Sequence, residues 1–203
     1  MTNNSVTLAM TGASGAQYGL RLLECLLNDG QSVNLLISNA AHVVIATETR
    51  HQFGHRPEEI NQYFSALYGA KTGQLQVFGK EQWMAPIASG SGVARAMVVC
   101  PCSSATLSSI AYGASDNLIE RAADVTLKEQ RKLILVPREM PVSAIHLENM
   151  LKLARLGVAV LPASPGFYHK PTTVDDMVDF VVARILDHLD IEHDLIPRWG
   201  ETP

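Results

Sequence analysis

The 203-residue chain has only three cysteines, Cys25, Cys100 and Cys102, which argues against a disulfide framework. It has no basic block, and its net charge is −4, so a nucleic-acid partner is disfavoured. No apolar run reaches the ~18 residues of a membrane span. Residues 1–5 are short and polar and lack the basic-then-apolar layout of an export signal. No Cys or His cluster with ligand spacing accompanies Cys100-Pro101-Cys102, so no metal site is expected. Reduced thiols suit the cytoplasm.

What is present is a 47% hydrophobic composition, enough for one sizeable core. Residues 1–203 read as a single domain with a short tail from about 190. That tail ends in an apolar stretch with Trp199, which is expected to dock on a neighbouring subunit. Continuously apolar runs at 6–10, 33–37, 96–100, 133–136 and 158–161 predict buried strands, with a weaker one at 75–78. Helical periodicity fills the gaps. Leu20, Leu23, Leu26 and Leu27 form one apolar face, and Cys25 sits beside them as a core residue. Further helices are predicted over 144–156, closed by Gly157, and over 174–189, capped by Thr173. Strand–helix alternation predicts a doubly wound, mainly parallel α/β sheet, whose ligands bind beyond the carboxyl ends of the strands. Residues 51–74 carry the weakest pattern and are expected to be the most mobile part.

The strand ends hold the informative residues. Strand one runs into Thr11-Gly12-Ala13-Ser14-Gly15, then a helix. Glycines permit a tight turn and close approach, and a helix N-terminus favours an anion. The pattern is not G-x-G-x-x-G, so the dinucleotide fingerprint is not met. Strand two ends at Ser38, before a helix carrying Glu48. The fourth ends at Ser103-Ser104-Ala105-Thr106, where hydroxyls suit both helix capping and a ligand. The fifth ends at Arg138-Glu139, a charged pair on the ligand rim. The last leads to a rigid proline-rich loop that presents Tyr168.

Arg121 and Lys128 lie seven apart, two helical turns on one face, with no acidic i+4 partner between them; such a pair suits a phosphate. Arg184 interrupts the inward face of the last helix and, half-buried there, would need an acceptor. Asp175-Asp176-Met177-Val178-Asp179 matches the D-D-x-x-D of magnesium diphosphate sites, but acidic residues in the first turn of a capped helix explain it better.

Five segments in order resemble the flavin prenyltransferase family, of the UbiX type. They are residues 11–16, 101–108, 121–129, 136–141 and 165–169. The resemblance implies a flavodoxin-like fold and transfer of a dimethylallyl group from dimethylallyl monophosphate to reduced FMN. The prenylated FMN then serves a UbiD-type decarboxylase, in many bacteria for ubiquinone synthesis. It implies FMN contacts at Gly12, Ala13, Ser14, Ser38, Ser103, Ser104, Ala105, Thr106 and Arg138. It implies prenyl-phosphate contacts at Lys128, Tyr168 and Arg184, with Arg121 and Glu139 nearby. It also implies a homo-oligomer, a dodecamer with sites between subunits. The chemistry suits these residues. Arg121, Lys128, Tyr168 and Arg184 stabilise a departing monophosphate without a metal, and the flavin ring, with Trp83, offers a π face to the cationic prenyl fragment. Proton removal falls to Glu139 with the freed phosphate, Glu139 being oriented by its neighbour Arg138, or to Glu48 with Ser14.

Two other readings use the same turns. An FMN-dependent decarboxylase of the phosphopantothenoylcysteine type needs a P-x-M-N-x-x-M setting that Asn149-Met150 lacks. A non-enzymatic FMN carrier gives Lys128, Tyr168 and Arg184 no role.

Overall fold

The computed structural model describes residues 4–197. Six parallel strands form one sheet in the order β3-β2-β1-β4-β5-β6. They are β1 (Ser5–Met10), β2 (Ser32–Ile37), β3 (Leu75–Phe78), β4 (Ala96–Cys102), β5 (Lys132–Pro137) and β6 (Ala159–Val160). The seven helices among the described residues are α1 (Ala16–Asn28), α2 (Asn39–Glu48), α3 (Pro57–Tyr68), α4 (Ser104–Ala111), α5 (Leu118–Lys128), α6 (Ala144–Arg155) and α7 (Val174–His188). This is the doubly wound arrangement that the strand–helix alternation predicts, with the 3-2-1-4-5-6 strand order of a Rossmann-like sheet. β4 runs two residues further than its apolar run, and β6 is shorter than predicted.

Alternation within each strand feeds two cores. Val6, Leu8 and Met10 of β1, with Val98 and Cys100 of β4, pack with α1 and α7. Ala9, Met97, Val99 and Cys102 face the other way, onto α4, α5 and Leu153 of α6. Burial on both faces is why the strands are mostly apolar on both sides. Gly19 lets α1 lie against the end of β4, where a Cβ would sit 2.3 Å from the Cys100 carbonyl oxygen. The Cys100 and Cys102 thiols are fully buried, and burial pushes Cys102 up to about 12.

α7 is pinned at both levels of the sheet. Arg21 of α1 donates to Asp179 at 2.7 Å. At the amino edge of the sheet, Arg95 donates to the Leu189 carbonyl at 2.9 Å, and Lys132 bonds the His188 carbonyl and Asp190. Cations at a helix C-terminus complement its dipole. Thr173 caps the helix start with Asp176, whose carboxyl is held down to about 2, first by the Thr172 and Thr173 backbone N–H groups. The acidic run at 175–179 therefore serves helix capping and the Arg21 pair.

The 51–74 stretch corrects the expectation of weak order, for it contains α3. Ile60 and Phe64 are buried, and Phe64 meets the rings of Phe53, Tyr63 and Tyr68 at 4.9–5.9 Å. Its apolar spacing is hidden in the sequence because aromatics replace aliphatic residues. Phe64→Ala is expected to cost about 3–5 kcal/mol, read as a lower midpoint in urea unfolding.

Candidate active site at the carboxyl edge of the sheet

β1 and β4 are neighbours whose helices leave to opposite faces, so a crevice opens beyond their ends. Most of the predicted residues converge there. Gly12, Ala13 and Ser14 form the turn after β1. Gly12 abuts α2, where a Cβ would lie 2.5 Å from the Ala40 Cβ. Ser38 caps α2, its hydroxyl accepting from Ala41 N at 3.1 Å. Ser103 caps α4, accepting from Thr106 N at 3.3 Å and meeting the Thr106 hydroxyl at 3.0 Å. Ser104 and Ala105 stand in the first turn of α4, where backbone N–H groups have no intrahelical acceptor.

Arg138 crosses from the end of β5 to the first turn, its Nε donating to the Ser14 carbonyl at 3.2 Å. Glu139 accepts from the Ser104 hydroxyl at 2.6 Å and from Met140 N at 3.3 Å. The structure thus assigns the orientation of Glu139 chiefly to Ser104, correcting the expectation that Arg138 does this. The Ser104 hydrogen bond holds its carboxyl below the usual range, against partial desolvation and with help from the Met140 N–H, His146 and Arg138.

The anion expected at the start of α1 is the protein's own. Glu48, at the end of α2, reaches back and accepts from Gly15 N at 2.8 Å and Ala16 N at 3.0 Å. Burial alone would raise its pKa. The Ser14 hydroxyl, the Ala16 and Gly15 N–H groups and Arg138 outweigh that and hold it below the ordinary carboxylate value. A ligand phosphate therefore has the α4 terminus, with Ser103, Ser104 and Thr106, as its place in this crevice. Two open hydroxyl-lined turns and a side-chain-free Gly12 suit a flat cofactor ending in a phosphate.

Thr11, absent from the predicted set, is buried between the strands. Its hydroxyl donates to the Pro101 carbonyl at 2.8 Å and accepts from Ser103 N at 2.8 Å. A polar residue ending an apolar strand is the signal that points to it.

The remaining predicted residues sit on other elements of the protomer. Lys128 ends α5, four residues before β5 begins, at the amino edge of the sheet. At about 3.3 Å per residue, six strand residues separate that edge from Arg138 by about 20 Å. Arg121 does have a close acidic neighbour, Asp124 at 3.0 Å, and its Nε donates to the Ala88 carbonyl at 3.0 Å. Lys128 pairs with Glu129, and both side chains lie over Gly90. Trp83 stands half-exposed in the 79–92 loop. Tyr168 sits edge-on to Phe180 of α7 at 5.5 Å. Arg184, one turn beyond Phe180, is 51% exposed and pairs with Asp187, so it does not interrupt the buried face. Residues 178, 181, 182, 185 and 186 make that face, and 184 flanks it. Trp199 lies outside the described residues.

A doubly wound parallel sheet with a phosphate-suited turn at its switch point defines a nucleotide-binding α/β protein with a Rossmann-like, flavoprotein-type sheet. Residues 1–186 match the Flavoprotein family. The chain is 61% identical over 196 residues to flavin prenyltransferase UbiX of Pseudomonas aeruginosa, covering 97% of this chain and 94% of that one. It is 51% identical to the UbiX of Halalkalibacterium halodurans, covering 96% and 93%. Its fold superposes on crystal structures of AnUbiX in complex with FMN and dimethylallyl pyrophosphate (TM-score 0.87, 37% identity, 99% and 100% covered). A dodecameric FMN-dependent UbiX-like decarboxylase from Escherichia coli O157:H7 matches similarly (0.86, 43%, 97% and 100%). The chain belongs to the flavin prenyltransferase family. A PPC decarboxylase at 16% identity and TM-score 0.58 shares the fold alone.

Because the pKa of Glu48 is depressed, its capping contribution is complete above the ordinary carboxylate range and is lost as pH falls through the depressed value. Glu48→Gln is expected to cost about 1 kcal/mol at neutral pH, with the gap from wild type closing only in acid. Thermal unfolding across pH checks this; a gap independent of pH would refute it.

Proposed function

We propose that this protein transfers a dimethylallyl group from dimethylallyl monophosphate to reduced FMN, and that the product passes to a UbiD-type decarboxylase. The reading is carried by one combination: a full-length match to flavin prenyltransferases, and a cationic set outside the flavin crevice that an FMN carrier does not need. Gly12, Ala13, Ser14, Ser38, the 103–106 turn and Arg138 hold the flavin. Reduced FMN, when bound, supplies the electron-rich acceptor.

The protein's residues do the rest. Arg121, Lys128, Tyr168 and Arg184 hold the phosphate and take up the charge that develops on its bridging oxygen as the allylic C–O bond breaks. Trp83 faces the cationic prenyl fragment. Glu139 accepts the proton released as the new ring closes, and Glu48 with Ser14 relays it. Assembly supports this division of labour. On one protomer Lys128 lies at the opposite edge of the sheet from the crevice, so a homo-oligomer would bring the Lys128 of a neighbouring subunit to the site. A dodecamer like that of the Escherichia coli relative is the assembly we propose. We place the enzyme in the cytoplasm, where its three thiols stay reduced.

Anaerobic incubation with reduced FMN and dimethylallyl phosphate, followed by mass spectrometry of the flavin, is expected to show a five-carbon gain. An unchanged flavin, or decarboxylation of 4-hydroxybenzoate derivatives by the pure protein, would overturn the reading. Lys128→Ala is expected to lower kcat/KM by about 10²–10³-fold with FMN affinity retained; a carrier would be indifferent. Glu139→Gln is expected to slow ring closure with FMN still bound, by about 10²-fold in single-turnover absorbance traces.

A further inference from the structure

Thr11 is not among the residues assigned to a ligand above, yet its hydroxyl is used twice. It donates to Pro101 O and accepts from Ser103 N, both at 2.8 Å, across 90 and 92 residues of chain. Its own N–H also donates to Pro101 O, at 3.1 Å. Both roles of the hydroxyl are filled, and the residue is 2% exposed.

The turn it holds has little support from its other side. The β4–β5 register shifts between Val99 and Cys102. The Arg138 N–H reaches Cys102 O only at 3.4 Å. The Ser103 N–H therefore finds its acceptor on β1 and not in the β5 ladder. Ser103 in turn caps α4 and meets Thr106, so its backbone sets where the first-turn N–H groups of α4 point.

We propose that Thr11 is a positioning residue for the flavin phosphate. It acts through Ser103 and fixes the α4 terminus against the first turn of the crevice. The inference rests on the reading that residues 103–106 hold the phosphate of FMN. Its consequence is selective: the loss of the hydroxyl weakens a flavin that carries the phosphate and spares one that does not.

The test titrates the full-length assembled protein with FMN and with riboflavin, following flavin fluorescence. Thr11→Val removes the hydroxyl at nearly constant volume, while its backbone bond to Pro101 remains. It is expected to raise the Kd for FMN by about tenfold and that for riboflavin by less than about twofold, with Thr11→Ser restoring FMN binding. Equal losses for both flavins, or no loss for either, would overturn the proposal. Should Thr11→Val fail to assemble, Thr11→Ala deletes the same hydroxyl and is judged by the same ratio. Ser103→Ala separates the two layers of argument. If it affects both flavins alike, the phosphate assignment itself fails. If it is selective for FMN while Thr11→Val is not, only the role of Thr11 fails.

Discussion

The parallel pairing of β1 with β4 is the constraint on which the rest depends. A parallel pair has no tight turn to close it, so each strand must hand its chain to a helix. Here α1 goes to one face and α4 to the other. Their two starts then face each other across an opening that the sheet cannot fill. The polar residues that follow β1 and β4, Thr11, Ser14, Ser103 and Ser104, are gathered at that opening. The central strands can be largely apolar because their backbone groups are satisfied by neighbours on both sides.

The two helix starts are treated differently, and that difference gives the crevice its direction. One is closed internally by Glu48, a carboxylate from a neighbouring helix. The other is capped only by a hydroxyl and keeps its first-turn donors outward. A negatively charged ligand group meets an occupied terminus on one side and an open one on the other. Arg138, bridging to the Ser14 carbonyl, ties the two sides together and balances Glu48.

Much of this is readable from residues in order. Doubly buried strands announce themselves as continuous apolar runs, and in a parallel sheet the residues just past each run must share one edge. That places Gly12, Ser38, Ser103 and Arg138 together without any knowledge of side-chain contacts. What is not readable depends on long returns of the chain. Glu48 caps a helix that starts 32 residues before it. The exposure of Arg184 depends on which flank of α7 meets α1, and its apolar neighbours Val181 and Ile185 suggest the wrong one. The α3 segment is obscured because its buried side is built from Ile60 and Phe64 among polar residues. The partition of Lys128 from the crevice follows only once α5 is seen to end before β5 begins.

α7 is tied to α1 through Arg21 and to the opposite sheet edge through Arg95 and Lys132. It is a rod fixed along its length, and Arg184 rides on it as a stationary post. A helix so anchored cannot swing to meet a substrate of another size. If Arg184 holds the prenyl phosphate as proposed, the span available to a longer or shorter phosphorylated chain is set by how protomers stack. Under that proposal, diversification of such a catalyst proceeds through the seams between protomers, with each interior left alone.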